Sequence, residues 1–122
     1  MRNISMPNPL CHFELMTDDP EKCKAFYGAV FDWQFDDASM PGYTLINAGA
    51  EPSGGVFPKP AEVPGVCLNV YFKVQNIDET LNKVTENGGQ VLVPKTAIPN
   101  VGHFAMFTDP EAIPIGILQA TS

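Results

Sequence analysis

Basic side chains are scarce in this sequence: seven lysines and arginines stand against fourteen aspartates and glutamates, a formal charge of −7 at pH 7. Such a balance repels phosphate backbones and anionic lipid headgroups, so neither a nucleic-acid nor a membrane partner is expected. Long apolar runs are missing too. The opening MRNISMPNPL holds no signal-peptide core and nothing later approaches a membrane span, so a cytoplasmic location is expected. Cysteine is limited to Cys11, Cys23 and Cys67, an odd number without CxxC spacing. Neither a disulfide framework nor a cysteine zinc site follows, and the three read as small core residues or free thiols. Phosphate-loop and dinucleotide glycine motifs are absent, and no serine or cysteine has a recognisable base partner for nucleophilic catalysis.

What the chain does have is a core and many turns. Its 122 residues suit one domain spanning 1–122, and 44% apolar with 17% charged residues is ordinary for a globule. Twelve prolines and ten glycines imply short elements and favour strands. The organising stretch runs from Cys11 to Phe35. CHFELM alternates, placing Cys11, Phe13 and Leu15 on one face and His12, Glu14 and Met16 on the other. Asp18 or Asp19 can cap a following helix that starts at Pro20, with Glu21 at its positive end. Cys23, Phe26, Tyr27 and Val30 then form a helical stripe expected to pack on a sheet. DWQFDD, YTLINAG and a run around Gly54 to Phe57 predict three strands, in which Trp33, Phe35 and Tyr43 either pack or stack on a ligand.

The plan then repeats. PKPAEVPG, rich in proline, links a first module of about 10–57 to a second of about 66–119. NVYFKVQNIDETLNKVTENGG lays Asn69 on His12, Tyr71 on Glu14, Asn76 on Asp19 and Val84 on Tyr27. Leu68, Val70, Phe72 and Val74 share one strand face, and Cys67, Asn69, Tyr71 and Lys73 the other. Asn76 or Asp78 caps a helix burying Ile77, Leu81 and Val84, which stops at Gly88 and Gly89; QVLVP, HFAMFTDP and IPIGILQ give three further strands. Turns this short exclude an all-parallel sheet.

His12 followed at a distance by Phe26 and Tyr27, then NGGQV, VPKTAIPNVGHFAMFTDPE and the final GILQ, resemble the glyoxalase/bleomycin-resistance/dioxygenase superfamily, also called vicinal oxygen chelate, from Leu10 to Gln119. The resemblance implies an α+β fold: two paired βαβββ modules forming a curved, mainly antiparallel sheet around a cavity, with the helices outside. It also suggests a homodimer, and Phe13, Phe26, Val70 and Leu81 are expected in the buried layers between helix and sheet. Metal-dependent members take one ligand from the first and fourth strand of each module. Carried over by position, these become His12, a residue near Gly55, Asn69 and Gly116, of which only His12 is a good ligand. No metal or other cofactor is therefore expected. DPEAIP also departs from the family's habit of glycine after DPE.

The leading expectation is thus a metal-independent protein that binds or sequesters a small, partly apolar metabolite or toxin. His12, Glu14, Met16, Cys67, Asn69, Tyr71 and His103 are its candidate ligand-binding residues. His12 serves as donor or base, or is a relic held by a neighbour; Glu14 orients the imidazole or pairs with Lys73. Two alternatives stand beside it: a lyase, isomerase or dioxygenase with a divalent metal relocated to His12, Glu14 and His103, and a non-catalytic dimerisation module with a filled cavity.

Overall fold

The computed structural model describes residues 7–60 and 67–120. Most of the linker, and the side chain of Cys67, lie outside the described residues. In order come β1 (Leu10–Thr17), α1 (Pro20–Phe31), β2 (Gln34–Asp36), β3 (Thr44–Asn47) and β4 (Ser53–Pro58). They are followed by β5 (Cys67–Lys73), α2 (Ile77–Glu86), β6 (Gln90–Ile98), β7 (Gly102–Thr108) and β8 (Pro114–Ala120). This is βαβββ twice, an α+β fold. Two compact units divide within β5, one formed by Cys11–Val70 and the other by the chain from Tyr71 onward with the residues before Cys11.

In the first unit the strand order is β2-β3-β4-β1. Strand β1 runs parallel to β4, and the β2–β3 and β3–β4 pairs are antiparallel. The expected cap of α1 is Asp19, whose carboxylate accepts from the Lys22 N–H at 3.1 Å, with Pro20 in the first turn. One face of these strands lies against α1: Phe13 packs on Trp33, their centroids 5.6 Å apart, and the Phe35 ring approaches Gly28. Val56 and Ile46 are buried in that layer.

Only part of the stripe expected on α1 packs. Phe26 is 58% and Val30 54% exposed, and no α1 residue is fully buried. Tyr27, stacked on Trp33, and Gly28, close to Phe35, supply the packing face instead. The Lys24 ammonium is fixed over the same side by Glu21 and Asp37. Because successive helical residues are rotated by about 100°, a roll that seats Tyr27 and Gly28 turns Phe26 and Val30 outward.

The second unit repeats the topology as β5-β8-β7-β6, with β5 parallel to β8 and the other pairs antiparallel. Asn76 caps α2, accepting from the Glu79 N–H at 3.0 Å. Ile77 is fully buried with Val74, Ala105 and Ile117, and Leu81 and Phe107 pack against them. Burial along β5 and just past it does not follow one face: Leu68 is 61% exposed and Val74 is buried on the first, whereas Asn69 and Tyr71 are buried on the second. Asn69 lies against Met16, and the Tyr71 ring sits over Gly116, so these side chains are covered by protein groups. Among the described residues no helix is long and apolar enough to cross a membrane.

Candidate functional site

Strand alternation puts His12, Glu14 and Met16 on the face of β1 opposite Phe13, away from α1. Parallel pairing with β4 then sets Ser53 beside His12, Gly55 beside Glu14 and Phe57 beside Met16. The His12 and Glu14 side chains are largely covered, 18% and 13% exposed. Met16 is also buried, with its sulfur 4.0 Å from the Asn69 amide nitrogen.

A residue outside the repeated motif completes the group. Tyr43 directly precedes β3, on a turn where Gly42 adopts φ 75° and the Tyr43 N–H donates to the Met40 carbonyl at 3.2 Å. Glycine suits that left-handed corner because it has no Cβ to clash. From there the phenol crosses Gly55: a Cβ built on Gly55 would collide with the Tyr43 ring and hydroxyl. The ring also stacks on Phe57 at 5.5 Å. Its hydroxyl donates to Glu14 Oε2 at 2.8 Å and lies 2.8 Å from His12 Nε2. The other imidazole nitrogen, Nδ1, is 3.4 Å from Ser53 Oγ.

Burial pushes the His12 imidazole below its ordinary value and outweighs the opposite pull of the Glu14 charge. A neutral ring is favoured, held beside a carboxylate by a phenol. Chemically, the group offers an imidazole N–H, a phenolic O–H and carboxylate oxygens on one half-buried face flanked by Phe57 and Met16.

In the second unit Tyr71 stands opposite Gly116 in the β5–β8 register, as Glu14 stands opposite Gly55 in β1–β4. Here again a tyrosine ring fills the room over the glycine, and Phe104 meets it edge-on at 6.5 Å. His103 pairs with Gln119 on the face of β7 and β8 that carries Ala105 and Ile117 towards α2. That is the opposite face from Gly116 and Tyr71. The first unit therefore gathers His12, Glu14, Met16 and Asn69, adding Tyr43 and Ser53, while Tyr71 and His103 belong to two different faces of the second.

The positions that the family resemblance assigns to metal ligands do not fit a metal. Gly55 and Gly116 lack donors, and the space their side chains would enter is occupied by tyrosine rings. Among the described residues no three His, Cys, Asp or Glu side chains are grouped to hold an ion. Transition metals need several such ligands at once.

Tyr43 could have been suspected from Gly54 and Gly55 in succession within a strand, a signal of close approach by another group. The two glycines accept Phe13 on one face and Tyr43 on the other.

A Mycobacterium bovis protein named "Putative glyoxylase CFP32" is 32% identical over 114 residues, covering 88% of this chain and 44% of its own length. The chain thus spans less than half of that relative. Among solved structures, a hypothetical protein from Bacillus halodurans, BH1468, aligns with a TM-score of 0.71 at 15% identity, covering 96% of this chain and 97% of the other. Methylmalonyl-CoA epimerase from Mycobacterium tuberculosis aligns at 0.70 with 10% identity, covering 93% and 88%. These structural likenesses speak for the fold alone. The family model described as Glyoxalase/Bleomycin resistance protein/Dioxygenase superfamily matches residues 10–117, and the chain belongs to that superfamily.

Proposed function

We propose that this protein binds a small, partly apolar molecule on the His12–Glu14–Tyr43 face, sequestering or sensing it without a divalent metal. The observation that carries the reading is the Tyr43 hydroxyl, which fills the room above Gly55 and bridges His12 and Glu14. With the phenol there, the imidazole and carboxylate are held by a hydrogen bond where a metal would need further ligands. Phe57 and Met16 supply the apolar wall, and the three polar groups supply orientation, the usual division in a small-molecule site.

The test is a thermal-shift screen of a small-metabolite library on the metal-stripped protein, with affinities then measured on His12→Ala. Removing a buried hydrogen-bonding group typically costs about 1–3 kcal/mol, roughly fivefold to a hundredfold or more in affinity. A ligand that binds the metal-stripped protein and loses this much on His12→Ala supports the reading. Binding that appears only after a divalent metal is restored would refute it.

A further inference from the structure

The register of the first unit lays a row of polar side chains across four strands. Gln34 on β2 pairs with Asn47 on β3, the β3–β4 pairs Leu45–Gly55 and Ile46–Gly54 bring Asn47 next to Ser53, and Ser53 pairs with His12 on β1. Alternation keeps Gln34, Asp36, Leu45, Asn47 and Ser53 on the face of His12 and Glu14, and sends Phe35 and Ile46 towards α1. All five of the former line a cavity of about 430 Å³, within the ~300–1,000 Å³ range of small-molecule pockets. Ser53 belongs to both places: it lines the cavity, and its hydroxyl lies 3.4 Å from His12 Nδ1. Because the His12 and Glu14 side chains are largely covered, the cavity over β2, β3 and β4 offers the room for a ligand on this face.

The lining sets the charge of what fits. Among the described lining residues Asp36 alone is charged, and its carboxylate accepts from the Ser39 hydroxyl at 2.6 Å and from the Ala38 and Ser39 N–H groups at 2.9 and 3.3 Å. These bonds hold its carboxyl below the ordinary carboxylate range, so it stays ionised. An anion meets a negative rim with no cation beside it. An ammonium group gains little from a fully exposed carboxylate that water screens and three donors already engage. The neutral groups are better placed: Asn47 Oδ1 accepts the Gly49 N–H at 2.9 Å, which leaves its NH2 group as a donor, and Gln34 and Ser53 on either side each donate and accept. A hydroxyl group matches that row, taking the Asn47 N–H and giving its own proton to the Gln34 or Ser53 oxygen. We propose that this cavity is the subsite for an uncharged, hydroxyl-bearing end of the ligand, held by Gln34, Asn47 and Ser53 with Leu45 as its apolar wall. The proposal deepens the small-molecule reading above and rests on it.

The experiment titrates the intact 15N-labelled protein at neutral pH with three matched probes: cyclohexane-1,2-diol, 2-hydroxycyclohexanecarboxylate and 2-aminocyclohexanol in its ammonium form. The readout is the side-chain NH2 signals of Gln34 and Asn47 in 1H–15N spectra, assigned by their loss in Gln34→Met and Asn47→Asp. The diol should shift both pairs of signals. Gln34→Met keeps the length of the side chain and Asn47→Asp keeps the bond from the Gly49 N–H; each, read on the amide that remains, should weaken the diol about two- to tenfold, the worth of one neutral hydrogen bond. Leu45→Trp, which fills the cavity from a half-buried wall position, should abolish the response. No shift with the diol, an undiminished response in folded Leu45→Trp, or an equal response to the carboxylate or ammonium probe overturns the subsite. A diol that fills the cavity while no library ligand weakens on His12→Ala would instead fell the functional reading and leave the subsite standing.

Discussion

Replacing Gly55 by alanine adds one methyl group to a strand whose backbone accepts any residue, yet that methyl has nowhere to go. The three atoms nearest to a Cβ at this position all belong to Tyr43, including its hydroxyl. Seating alanine therefore expels the phenol. Overpacking of this kind costs about 1–3 kcal/mol, and losing the bonds to His12 and Glu14 adds about 0.5–1.5 each. Lower unfolded-state entropy returns only about 0.4–1 kcal/mol. The expected net loss is roughly 2–4 kcal/mol, or about 1–2 M in the urea midpoint at a slope near 2 kcal/mol/M. Because the collision is with one side chain, the cost should almost vanish when Gly55→Ala is made in a Tyr43→Ala background, giving a large coupling in the double-mutant cycle. Equal losses in both backgrounds would refute the claim that Tyr43 occupies the room above Gly55.

The second unit makes a parallel demand: Gly116→Ala should destabilise by a similar amount through the Tyr71 ring, and Tyr71→Ala should relieve it, both read by urea unfolding. The His12 imidazole, held below its ordinary value of 6.5 by burial, gives stability a defined pH dependence. As pH falls through about 6.5 the unfolded chain takes up a proton that the folded state resists, so stability present above this value declines below it until the folded imidazole also titrates. Urea unfolding from pH 8 to pH 5 should show this extra decline in wild type and not in His12→Gln; matching profiles would contradict it.

The sequence made the repeat legible because short-range rules govern it. Alternation in CHFELM separated His12 from Phe13, and Asp19 and Asn76 carried their capping role openly. The α1 stripe misled because Phe26 and Val30 satisfy the same spacing as a buried face, and only the rings of Trp33 and Phe35 decide which side packs. The sequence offers Asn69 and Tyr71 as cavity walls, but their burial by Met16 and over Gly116 depends on contacts remote in the chain. Tyr43 was hardest to read. It lies 29 residues from Glu14 and 31 from His12, and no local pattern links them. Its position follows from the β3–β4 and β1–β4 registers together.

The most direct test of a metal-independent site is the metal content of the untagged protein, purified without chelator, followed by calorimetric titration of wild type and His12→Ala with zinc. The expected result is far less than one transition metal per chain and the same weak zinc uptake in both proteins, because a tyrosine fills the place of a ligand beside His12. About one metal per chain, lost on His12→Ala, would contradict it.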